Sequence, residues 1–113
     1  MENMPYFHIS VGLRGCYMPD GAFVVKVKSR KELRAIVSDE CYHAREAYGY
    51  GGSQKEISWM CAKMWKETKA KRPSYLPYAI GFGRTRDAND RPFGVFVGHA
   101  TRAEYVEYCN ENE

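Results

Sequence analysis

Three capping-box patterns divide this chain, and they constrain its fold more than any other feature. They are Ser29-Arg30-Lys31-Glu32, Ser53-Gln54-Lys55-Glu56 and Thr101-Arg102-Ala103-Glu104. In such a pattern the hydroxyl accepts from the backbone N–H three residues on, and the Glu carboxylate accepts from the N–H of the capping residue. Each pattern therefore marks a helix start, with extended or turn-like sequence before it.

The first helix is expected from Arg30 to about Tyr48, with Leu33, Ile36, Val37, Cys41, Ala44 and Tyr48 as its apolar stripe. Gly49, Gly51 and Gly52 stop it. The second starts almost at once, with Ile57, Met60, Cys61, Met64, Trp65 and Thr68 on its stripe, and ends in Lys69-Ala70-Lys71-Arg72-Pro73. Cations there complement the helix macrodipole, which is a structural reason for the basic run. The third is expected from Arg102 to about Asn110, with Tyr105, Val106 and Cys109 facing inward.

Between the helices the periodicity changes to two. Tyr6 to Leu13, Ala22 to Lys28, and the runs Tyr78–Gly83 and Phe93–Gly98 all alternate, as half-buried strands do. The first two runs read as an antiparallel hairpin. The order β-β-α-α-β-β-α predicts an α+β fold: one domain with an antiparallel four-stranded sheet and three helices packed mainly on one face. Strand order is not legible at this level. At 113 residues, such a chain buries roughly two-thirds of its unfolded surface without needing staples.

Composition narrows the class. Hydrophobic residues make up 44% and charged residues 27% of the chain, ordinary values for a globular protein. Cys16, Cys41, Cys61 and Cys109 show no regular spacing. Two of them fall on apolar helix faces, where a thiol behaves as a small hydrophobe. That pattern implies a reducing, cytoplasmic setting without a disulfide framework. Residues Met1–Pro5 lack the pattern of a signal peptide, and no apolar run is long enough to span a bilayer. Charge is uneven. Ser53–Arg91 holds nine Lys/Arg against four Asp/Glu, a balance of +5, while Pro92–Glu113 holds one Arg against four Glu, a balance of −3. A basic middle and an acidic end permit an acidic-protein or nucleic-acid partner.

Three surfaces are candidate sites. The first is the sheet face turned away from the helices, expected to show Tyr6, His8, Ser10, Val24, Lys26, Lys28, Ala79, Gly81, Gly94 and Phe96. Aromatics and lysines on an open sheet can stack single-stranded bases, although the strand signatures and element order of RNA-recognition domains are missing. The same face is a candidate homodimer interface, and the plain alternative is a solvated sheet. The second is Trp59, placed opposite the apolar stripe among Lys55, Lys63 and Lys66. A rigid indole ringed by cations suits a contact hot spot or a base-stacking site. The plain alternative is that a neighbouring helix or the Tyr75–Tyr78 segment covers it. The third is the link carrying Arg84, Arg86 and Arg91, which could grip phosphates or carboxylates. Asp87 and Asp90 weaken that reading by pairing internally.

Chemistry has little support. Cys16 lies in a Gly-flanked turn and His8, His43 and His99 are available, but a Cys–His catalyst needs a proximity that sequence alone does not show. Cys41 and His43, two apart on a helix, face different ways. No phosphate-loop, dinucleotide or zinc-hydrolase motif is present, and no cofactor or metal is implied. The expected function is a non-catalytic protein–protein binding module whose partner is acidic or associated with nucleic acid. An accessory or inhibitor protein from a mobile element, blocking a host nucleic-acid-processing complex, is compatible with this. The rival is direct binding of single-stranded nucleic acid. A Cys-dependent enzyme is the third class.

Overall fold

The computed structural model describes residues 5–13, 23–48, 52–69, 78–84 and 92–112, with the side chains of residues 11–13, 47–48, 81–84 and 92–93 outside that description. The elements run β1 (Tyr6–Leu13), β2 (Phe23–Lys26), α1 (Arg30–Tyr48), α2 (Gln54–Glu67), β3 (Tyr78–Arg84), β4 (Pro92–Ala100) and α3 (Arg102–Glu111). This is the expected α+β order.

The caps form largely as their chemistry requires. Ser53 and Thr101 each accept from the N–H of Glu56 and Glu104, and each Glu accepts in return from the cap's own N–H. The first box is shifted by one residue. Ser29 Oγ accepts from Glu32 N–H at 3.2 Å, but the Glu32 carboxylate takes the N–H of Lys28 instead of Ser29. Between α1 and α2, Gly52 adopts φ 88°, a left-handed turn that a side chain would disfavour. Arg45 donates to the Gly52 carbonyl at 2.6 Å and ties the end of α1 to the start of α2.

All four strands form one antiparallel sheet in the order β2-β1-β4-β3. The two hairpins join through β1 and β4, which pair from Tyr6↔Ala100 to Leu13↔Phe93. The β3–β4 register shifts between Ile80 and Gly83. Strand β2 spans Phe23–Lys26, and just beyond it Val27 still donates its N–H to the Pro5 carbonyl at 3.1 Å.

The main core lies between α1, α2 and one sheet face. Phe7, Ile9, Val27, Ile80, Val95 and Val97 meet Leu33, Val37, Cys41, Ala44, Ile57, Met60, Cys61 and Met64, all essentially excluded from water. Burying aliphatic groups of this size contributes roughly 1.5–3 kcal/mol per side chain.

Helix α3 takes the other face. Tyr105 packs against Tyr6 with ring centroids 5.3 Å apart, and Glu104 contacts His8. Because side chains alternate along β1, residues 6 and 8 must face away from Phe7 and Ile9. Two helices thus share one face and the third lies opposite, against β2 and against Tyr6 and His8 of β1. Of the expected inward set of α3, Tyr105 and Cys109 are half-buried, but Val106 is 45% exposed and needs correction, and none of the helix is fully buried. The half-buried residues Glu104, Tyr105, Tyr108 and Cys109 share one side of the helix, which docks through Tyr105 on Tyr6 and Glu104 on His8. Among the described residues no helix is long and apolar enough to cross a membrane.

Candidate functional site: the Trp59 stripe of α2

The apolar positions of α2 (Ile57, Met60, Cys61 and Met64) all point into the core. Helical geometry then forces Trp59 outward. The indole is 58% exposed, the most open of the large hydrophobic side chains among the described residues. Lys63, one turn on, places its Nζ 5.2 Å from the Trp59 ring centroid and 4.5 Å from that of Tyr78. The ammonium lies within cation–π range of both rings. Lys55 and Lys66 are exposed one turn before and two turns after Trp59.

A polar cluster supports the Tyr78 side of this arrangement. Tyr78 donates its hydroxyl to Glu67 Oε2 at 2.7 Å, and His99 Nε2 lies 3.3 Å from Glu67 Oε1. The His99 ring packs on Phe7 at 5.4 Å. Burial lowers the His99 pKa below the usual imidazole value, outweighing the pull of the Glu67 hydrogen bond and charge. His99 is therefore held neutral at pH 7, with Nε2–H donating to the carboxylate. Glu67, Tyr78 and His99 were not among the expected site residues. Glu67 follows Lys63 by four positions and so continues the Trp59 stripe. Tyr78 pairs with Val97 in the β3–β4 ladder, two residues from His99 and hence on the same face. Those spacings carry the signal only once the strand register is known.

The other expected surfaces fare differently. Tyr6, His8, Lys26 and Phe96 do share a sheet face, but that face is not an open platform. His8 and Phe96 are each only 7% exposed, and Val24 is also buried. His8 is covered because Glu104 of α3 contacts its Nε2, while Nδ1 is buried without a partner. Tyr6 is half-buried against Tyr105. Lys26 is exposed on the edge strand, and Lys28 is exposed beyond the strand's end. His8 and Phe96 are thus not the exposed side chains expected on this face: both are already buried within the chain and leave little surface for a stacked base or a second copy. Arg84 ends β3, opposite Pro92, and its side chain lies outside the described residues, as do Arg86, Arg91 and Cys16 altogether.

Burial raises the Cys41 thiol pKa to about 12 and that of Cys61 to about 11, with nearby Arg45 opposing the first and Arg34 and Arg30 the second. Neither is a nucleophile at neutral pH. Among the described residues no three His, Cys, Asp or Glu side chains converge as a metal site would require. No protein-family model, curated protein or solved structure matches this chain.

Proposed function

We propose that this protein is a non-catalytic binding module that docks an acidic protein segment on the exposed stripe of α2. The observation that carries the reading is the open indole of Trp59, with the Lys63 ammonium held between it and Tyr78. A rigid aromatic supplies contact area at low entropic cost. Flanking lysines at Lys55 and Lys66 match a partner's carboxylates and speed encounter. The action would be occlusion of the partner's own surface, as in an accessory or inhibitor protein. Cys41 and Cys61, used as packing residues with free thiols, support a reducing cytoplasmic setting.

The test compares wild type with Trp59→Ala and Lys63→Glu in capture from extracts of the source cells. Far-UV circular dichroism and thermal melts establish that the variants fold. A protein retained by wild type and lost from both folded variants is the expected result. A captured set indifferent to both substitutions overturns the reading.

The same geometry favours one rival. Trp59 could stack a base while Lys55, Lys63 and Lys66 meet phosphates. Fluorescence polarisation with single-stranded RNA and DNA separates the two. Binding that falls steeply with salt and disappears in Trp59→Ala selects nucleic acid; no binding at low salt removes it.

A further inference from the structure

We infer that a second copy of this chain is one occupant of the Trp59 stripe, and that it docks there through the outer side of its α3. The inference rests on the reading of that stripe as a binding surface, and it names a partner by charge and shape.

The two surfaces complement each other. On α2, Lys55, Lys63 and Lys66 are exposed around Trp59. The helix's own acids are engaged elsewhere, Glu56 in the Ser53 cap and Glu67 with Tyr78 and His99. On α3, Arg102, Ala103, Val106, Glu107, Asn110 and Glu111 form one exposed stripe along the outer side of the helix. Val106 is its large exposed apolar side chain, and Glu107 and Glu111 are exposed one turn apart. Arg102 sits at the opposite end of the helix. Glu104, the remaining acid of the helix within the described residues, faces His8 instead. Trp59 to Lys63 is one turn, as is Val106 to the turn carrying Glu111, so an indole seated on Val106 beside Glu107 brings Lys63 into reach of the Glu111 carboxylate.

A second observation points the same way. The last turn of α3 contains no basic residue and carries Glu111. An acid there opposes the negative end of the helix dipole. Lysines supplied by another copy would relieve that repulsion, whereas the Lys66 end of α2 already complements its own dipole.

Topology makes the contact intermolecular. Helices α2 and α3 lie on opposite faces of one sheet, so a chain cannot fold its own α3 onto its own α2. The contact joins unlike surfaces, and each docked copy still offers a free α2 and a free α3. Association is therefore head-to-tail and extends into short chains or closes into a ring.

Sedimentation velocity on the full-length protein tests this. Wild type should grow in mass with concentration at low salt, and raising ionic strength from ~0.05 to ~0.5 M should weaken association by about tenfold. Trp59→Ala loses one surface and Glu107→Lys the other, so each alone should sediment as a monomer. Mixed, they retain one intact pair of surfaces and should stop at a 1:1 dimer. Both substitutions are at exposed positions, and circular dichroism confirms folding of each. A wild type that stays monomeric at every concentration and salt overturns the inference, as does a variant that assembles like wild type or a mixture that remains monomeric. Trp59-dependent capture of a foreign protein by a strictly monomeric wild type would reject self-association while leaving the binding reading intact.

Discussion

Single side chains set the clearest expectations. Cys41 and Cys61 sit between α1 and α2 with thiols held protonated by burial, at about 12 and about 11. Alkylation at pH 8 followed by peptide mass spectrometry should leave both unmodified in the native protein and label both on unfolding, while the half-buried Cys109 reacts before either of them. Labelling of Cys41 at the rate of Cys109 would contradict the packing. His99 gives a pH dependence with a definite sign. Its folded pKa lies below the usual value of 6.5, so the unfolded chain binds the extra proton. The stability this confers is complete above pH 6.5 and is lost as pH falls through the lowered folded value. The melting temperature should decline on acidification across that window, and His99→Gln should flatten the decline. Trp59 was legible at this scale because its wheel position alone forces it away from Ile57 and Met64. Its neighbours Tyr78 and His99 were not, since they reach Glu67 only after β3 and β4 have paired.

At the level of elements, the three helices are anchored by unlike means. The starts of α1, α2 and α3 could be read from Ser29, Ser53 and Thr101, because a cap is a local arrangement within four residues. The seat of α3 could not. Tyr105, Val106 and Cys109 suggest an inward face, yet only Tyr105 and Cys109 are half-buried, Val106 faces out, and Glu104 shares the docked side by meeting His8. The Glu104 carboxyl stays below its ordinary pKa: burial raises it, but the Thr101 N–H and the His8 contact outweigh burial. Removing caps should therefore have unequal effects. Ser53→Ala should cost about 1 kcal/mol of global stability, because α2 unfolds with the core. Thr101→Ala should instead speed hydrogen exchange of the α3 amides, with little change at α1 and α2. Equal acceleration in all three helices would show that α3 is as firmly integrated as the other two.

For the whole molecule, the decisive feature is the β1–β4 pairing, which links residues some ninety positions apart and converts two local hairpins into one sheet. Alternation in each run announced the hairpins, but nothing local says which strands meet at the centre, and so nothing local says which helices share a face. Once the order is β2-β1-β4-β3, the sheet separates two unequal layers. The continuous core on the α1–α2 side draws on β1, β3, β4 and both helices, with the half-buried Phe23 and Val25 of β2 packed against it, and among the described residues it includes none from α3. Leu33→Ala within it should cost about 2–5 kcal/mol, the range for a buried leucine whose surroundings relax only partly. A chain ending at Thr101 loses the cover over His8 and Val24 but keeps that core whole. It should still unfold in one cooperative transition, at a lower temperature than the intact protein and with increased binding of an apolar dye at the uncovered face. Calorimetry showing no transition in the shortened chain would mean that the second layer is essential to the first, and that the sheet does not divide the molecule in the way its contacts imply.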